Sequence, residues 1–161
     1  MIKEKKRSVI YIIPIILLWA AIIAMMVVML CGQAEGGERH PADLWRGLIG
    51  EAIGDGHAGM VAVCHVYKNR INRGMSMGCA ALKRKDLDKF IAEQTAYGKR
   101  IGRDYEKEAK EIVKNVFNGH LKDPTGGADH YENTKAFGIP YWAPGMRITA
   151  KINSHTFYKE R

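Results

Sequence analysis

Only three cysteines occur in the 161 residues: Cys31, Cys64 and Cys79. No two of them are spaced as zinc ligands or redox pairs are, and an odd number does not make a disulfide framework. A single Cys64–Cys79 bridge is open to an oxidising compartment, but Cys64 lies in an apolar helical run, where a buried free thiol is the commoner state. No stretch repeats at a period of about 20–50 residues, and there is no low-complexity tract, which excludes solenoids and disordered tails. No His-Glu-x-x-His pattern joins His40, His57, His65, His120, His130 and His155. They read as surface or structural histidines, and no metal or other cofactor is expected.

Charge is absent altogether from residues 9–31. As a helix this run of about 23 residues would rise roughly 34 Å, sufficient to cross a bilayer core. Lys3, Lys5, Lys6 and Arg7 stand directly before it and should stay cytoplasmic, which places everything after Gln33 on the far side of the membrane, periplasmic or extracellular. A cleaved signal peptide would use Gly32 and Ala34 before Glu35, but signal cores are usually about 7–15 residues long. A lipoprotein signal needs a small residue before the cysteine, and Leu30 precedes Cys31. The expected organisation is a basic tail and membrane anchor over 1–34, a linker rich in Gly and charge over 35–40, and one domain over 41–161.

The formal charge is +8, and the amino-terminal cluster less Glu4 carries +3 of it. A basic surface suits polyanions, among them nucleic acid, anionic lipid headgroups and the acidic polymers of a bacterial wall. With the domain outside the cytoplasm and no recognised nucleic-acid motif, no nucleic-acid partner is expected.

Within the domain, Pro41 suits the first position of a helix, and Leu44, Trp45, Leu48, Ile49 and Ala52 form its apolar stripe as far as Gly54 and Gly56. Glu51 falls in its last turn. A second helix over about 57–72 is apolar nearly all round, with Met60, Val61, Val63, Cys64, Val66 and Tyr67, as a central buried helix should be. Asp86 can cap a third segment bearing Leu87, Phe90 and Ile91. Asp104 can cap a fourth in which Tyr105, Ala109, Ile112, Val113, Val116 and Phe117 recur at helical spacing. After Gly119 the pattern changes: Asp123, Pro124, Gly126 and Gly127 are turn chemistry, and 128–131, 147–152 and 155–158 read as short strands. Helices first and a hairpin-rich end make an α+β domain.

Three stretches carry a resemblance. Gly50, Glu51, Ala52, Gly54, Asp55, Gly56, Gly59, Ala62, Val63, Val66, Asn69 and Arg70 form the first, and Asp123, Pro124, Thr125, Gly126, Gly127, Ala128 and Tyr131 the second. His155, Thr156, Phe157 and Tyr158 form the third. Together they resemble the SleB-type cell wall hydrolase family, the catalytic domain of spore cortex-lytic enzymes. The resemblance implies a lysozyme-like, mostly helical fold and cleavage of peptidoglycan between N-acetylmuramic acid and N-acetylglucosamine, in the manner of a lytic transglycosylase and without a metal.

Glu51 is the candidate catalytic acid and base. A general acid for a glycosidic oxygen must hold its proton near neutral pH, and apolar neighbours or negative potential serve that end. Glu51 follows Leu48 and Ile49 and stands at the negative end of a helix dipole. Asp55 is the nearest second acid, on a turn flanked by glycine that it could fix as readily as touch sugar. The family often shows Glu there. Tyr131, Asn133, Tyr141 and Trp142 are candidate sugar contacts or plain packing of a small β region. Gln94 is a further candidate contact, although Thr95, Ala96 and Tyr97 depart from the aromatic and Ser that the family sets after that Gln. Two rival functions remain: a zinc amidase, which needs three ligands meeting at one point, and a non-catalytic wall-binding protein.

Overall fold

The computed structural model describes residues 41–161, so the expected basic tail, anchor and linker lie outside the described residues. The chain enters through a turn closed by the Leu44 amide on the Pro41 carbonyl at 3.1 Å, and helix α1 (Leu44–Ala52) starts there. Pro41 is thus part of the turn and not the first helical residue, a correction that follows from where the first ladder carbonyl lies: Asp43 O accepts from Arg46 at 2.9 Å. Leu44, Gly47, Leu48, Ile49 and Ala52 form the buried stripe of α1. A 3-10 turn (Ile53–Asp55) leads into α2 (Gly56–Asn72), in which every residue from Gly59 to Tyr67 is buried. This is the spine that the all-round apolar run implied.

Helix α3 (Leu87–Arg100) follows a second 3-10 turn (Ala81–Lys83). Asp86 stands at its N-cap position but does not cap it. Its carboxylate is taken by the Arg84 guanidinium at 3.1 and 2.8 Å, and a charged fork outbids a backbone amide. Helix α4 (Tyr105–Phe117) is capped as the sequence implied, with Asp104 Oδ1 accepting from the Lys107 amide at 3.0 Å. Helices α1, α2 and α4 pack on one another around Leu48, Val63, Ile112 and Val116, all at most 1% exposed. Truncating one such side chain to alanine costs about 2–5 kcal/mol for Leu or Ile.

The remainder forms β1 (His130–Glu132), a single-turn helix α5 (Thr134–Phe137), β2 (Arg147–Ile152) and β3 (His155–Lys159). The antiparallel sheet has the order β1-β3-β2, with Tyr131 opposite Phe157 and a bulge between Ile148 and Ala150. The central strand β3 buries His155, Thr156, Phe157 and Tyr158 without alternation, because both of its edges are paired and its faces are covered. The domain is α+β and mostly helical. The described residues, 41–161, belong to one compact unit. Among the described residues no helix is long and apolar enough to cross a membrane.

Candidate active site

Glu51 sits one residue before the end of α1, and its position is set by two glycines on the same face. A Cβ on Gly47 would meet Cys79 Sγ at 2.4 Å, and one on Gly50 would meet Ala81 Cβ at 2.6 Å. Bare backbone at both positions lets residues 79–82 lie against the helix. The Ala81 amide then donates to Glu51 Oε1 at 2.7 Å and fixes the carboxyl.

Two tyrosines complete the support. Tyr67 comes from α2 and Tyr131 from β1, and their hydroxyls are 2.9 Å apart with the rings edge to face. The Tyr131 phenol lies close enough to Glu51 to feel its charge. Burial first, and then the Glu51 charge, hold the Tyr131 phenol well above the usual tyrosine range. The Tyr67 phenol is raised as well, by burial first and then by Tyr131. Both rings therefore remain protonated donors at any physiological pH. The Cys79 thiol is buried near the same ring, and burial raises it above its ordinary value.

Glu51 and Tyr131 open onto a cleft of about 220 Å³, which Arg70, Met77, His130 and Glu132 also line. Arg70 is gripped by carbonyls: Nε donates to Ser76 O at 2.7 Å and Nη1 to Asp129 O at 3.0 Å. Its charge is thereby fixed in the wall of the cleft. His130 hydrogen-bonds through Nδ1 to Asp129 at 2.8 Å. Burial, followed by the Arg70 charge, lowers its pKa, so the ring is neutral at pH 7. Trp142 packs on His130 at 5.5 Å and on Tyr158 at 5.2 Å, which places its indole beside the cleft wall. Asp129 is fully buried and paired with Arg73.

The stretches that stand apart in sequence meet here. Asp123 accepts from the Thr125 amide and hydroxyl at 2.7 and 2.6 Å, from the Gly127 amide at 3.0 Å and from Asn69 Nδ2 at 3.0 Å. These bonds outweigh burial and hold its carboxyl below the usual range. Gly126 and Gly127 both take positive φ, 65° and 78°, which L side chains resist. Asn69 also donates to Ala128 O at 2.9 Å, so the end of α2 is stitched to the turn that launches β1 and Tyr131.

The other candidates fall elsewhere. Asp55 accepts from the Ser154 hydroxyl at 2.7 and 2.8 Å and from His155 Nδ1 at 2.6 Å, and its backbone carbonyl accepts from Asn153 at 2.8 Å. Its carboxylate braces the β2–β3 hairpin and does not line the cleft. Asn133 caps α5 through Oδ1 to the Ala136 amide at 3.0 Å. Tyr141 is 94% exposed, and Gln94 lies in the middle of α3; neither lines the cleft. Cys64 and Cys79 are free, buried thiols, and burial pushes Cys64 up to about 12. Among the described residues no three His, Cys, Asp or Glu side chains converge as a metal site. Sequence reasoning missed Arg70, His130 and Glu132 as cleft residues and Tyr67 as a support for Tyr131. Only Arg70 had a signal, its place at the end of the first motif.

A family model described as cell wall hydrolase matches residues 54–158. The chain belongs to the cell wall hydrolase family. It is an enzyme family, and the match covers α2 through β3 and begins three residues after Glu51. Two solved structures are similar to this cell wall hydrolase. One is the catalytic domain of the germination-specific lytic transglycosylase SleB from Bacillus anthracis, 22% identical, covering 76% of this chain and 98% of that one at a TM-score of 0.51. The other is the catalytic domain of the Bacillus cereus SleB protein, 24% identical, covering 76% of this chain and 94% of that one at 0.49. No curated protein matches in sequence.

Proposed function

We propose that this cell wall hydrolase cleaves the peptidoglycan glycan strand between N-acetylmuramic acid and N-acetylglucosamine, with Glu51 as its single acid and base. The observation that carries the reading is the placement of Glu51 at a cleft, its carboxyl held on one oxygen by the Ala81 amide and approached by Tyr131. A positioned carboxyl of this kind contributes about 10²–10⁴-fold to proton transfer.

In its acid form Glu51 gives its proton to the bridging oxygen as the bond from muramic C1 breaks. The freed hydroxyl leaves with the N-acetylglucosamine. The muramic C6 oxygen then closes on C1, and its proton returns to the Glu51 carboxylate. No water is consumed, and the product is a 1,6-anhydromuramic end. The description of the Bacillus anthracis relative as a lytic transglycosylase supports this outcome. Arg70 and the Trp142 indole beside His130 are suited to hold the sugars and their acidic substituents. We assign the anchor the role of keeping the domain at the outer face of the membrane, on the strength of the uncharged run 9–31 and the cations before it.

A second reading has one observation in its favour: Glu132 lines the same cleft, so the site holds two carboxyls. Paired carboxylates hydrolyse glycosides by adding water. Mass spectrometry of muropeptides released by the purified protein separates the two. Anhydro ends are expected, with activity reduced at least about a hundredfold by Glu51→Gln and little changed by Glu132→Gln. Reducing ends, together with comparable losses in both variants, would establish the two-carboxylate reaction. Near-full activity of Glu51→Gln would end both readings.

A further inference from the structure

Residues 133–159 contain Lys135, Arg147, Lys151 and Lys159 and not one Asp or Glu. The same stretch carries the most exposed large apolar side chains among the described residues: Phe137 and Ile139 are 79% exposed, and Tyr141 is 94% exposed. Ile148, 54% exposed, shares with Ile139 an open groove of about 260 Å³. One charged residue lines that groove, Lys151.

Single exposed hydrophobic residues are ordinary; several on one acid-free segment flanked by cations are not. We propose that this face rests on an anionic bilayer surface, with Phe137, Ile139 and Tyr141 entering the headgroup region and Lys135, Arg147 and Lys151 meeting lipid phosphates. An apolar face rimmed by Lys and Arg is the pattern of interfacial membrane binding, and an aromatic ring with a polar tip sits well at headgroup depth. The attraction grows with each cation near the surface, and no carboxylate on the segment opposes it. A glycan strand fits this face less well, since Phe137, Ile139 and Ile148 offer its hydroxyls no hydrogen bond, and none of them lines the Glu51 cleft.

Chain length brings the bilayer within reach. Nine residues, 32–40, separate the uncharged run from the described domain, and fully extended they span roughly 30 Å. That step rests on the anchor assigned above; the composition of the face does not.

The test is hydrogen exchange on the full chain with vesicles of phosphatidylcholine alone or of phosphatidylcholine with phosphatidylglycerol. Amides in residues 134–152 should exchange at least about threefold more slowly with the anionic vesicles, while those of α2 stay unchanged. The triple variant Phe137→Ser, Ile139→Ser, Tyr141→Ser should lose the slowing; all three side chains are exposed, so the core is untouched. Equal exchange with both vesicles overturns the proposal, as does slowing produced by soluble peptidoglycan fragments but not by phosphatidylglycerol. Muropeptide release from the same samples reports on the Glu51 reaction alone, so the two readings fail separately.

Discussion

A carboxyl is only as useful as the atoms that aim it, and Glu51 is aimed by groups far from it in sequence. The Ala81 amide comes from a turn 30 residues later, and the Tyr131 hydroxyl from the first strand. The place of Glu51 in the last turn of its helix was legible, because the apolar spacing before it runs as far as Ala52. Tyr67 was legible only as a core residue. Its ring is fully buried as the pattern implied, but the bond from its hydroxyl to Tyr131 spans 64 residues and leaves no local signature. Glu132 escaped notice because a three-residue strand shows no alternation from which to read a face. Tyr131→Phe should leave the thermal midpoint within a few degrees of the parent, slow muropeptide release about tenfold and displace the pH–rate profile, since it removes the hydroxyl beside the carboxyl together with its bond to Tyr67. Tyr67→Phe should act in the same direction and more weakly, being one bond further away. An unchanged rate and profile in Tyr131→Phe would reduce that residue to packing.

Elements meet closely in this fold where side chains are missing. Helix α1 presents Gly47 and Gly50 to residues 79–82, and the contact leaves no room for a methyl group. Helix positions could be read from apolar spacing, since α2 and α4 show it over several turns. The ends were less legible: Pro41 lies in a turn that precedes the helix, and the Asp86 carboxylate is taken by Arg84 in place of a backbone amide. The role of Gly50 was equally hidden, since a glycine within a helix reads first as a weak point. In isolation Gly50→Ala would favour the helix by up to about 1 kcal/mol. In this fold the added carbon must displace Ala81 and Leu87, so the variant should be less stable by about 1–3 kcal/mol as overpacked sites are. Muropeptide release should fall with it, because the Ala81 amide is carried away from Glu51. Urea denaturation and muropeptide release measured together check both halves. A stabilised, fully active Gly50→Ala would show that the turn can give way.

Across the whole molecule, the buried polar groups set how the fold responds to acid. His65 is buried within α2, and its Nε2 has no hydrogen-bond partner. Burial lowers its pKa below the ordinary 6.5, against the attraction of Asp123 and with the help of Lys68. Below pH 6.5 the unfolded chain therefore takes up a proton that the folded chain refuses, and stability falls as the pH drops toward the lower folded value. One such proton corresponds to at most about 1.4 kcal/mol per pH unit. His130 is lowered as well but is less buried, so it adds a smaller share. Asp55 and Asp123 act in a separate window. Both are held below 3.8 by hydrogen bonds that outweigh their burial, so their contribution is intact above pH 3.8 and is lost as the pH falls through their folded values. The urea midpoint should thus decline in two stages, first below pH 6.5 and again below 3.8. His65→Leu should flatten the first stage while leaving the second, whatever it does to stability at pH 7, because only the slope reports the proton. An unaltered first stage in that variant would mean that His65 accepts its proton within the fold, and that another group sets the acid sensitivity of the domain.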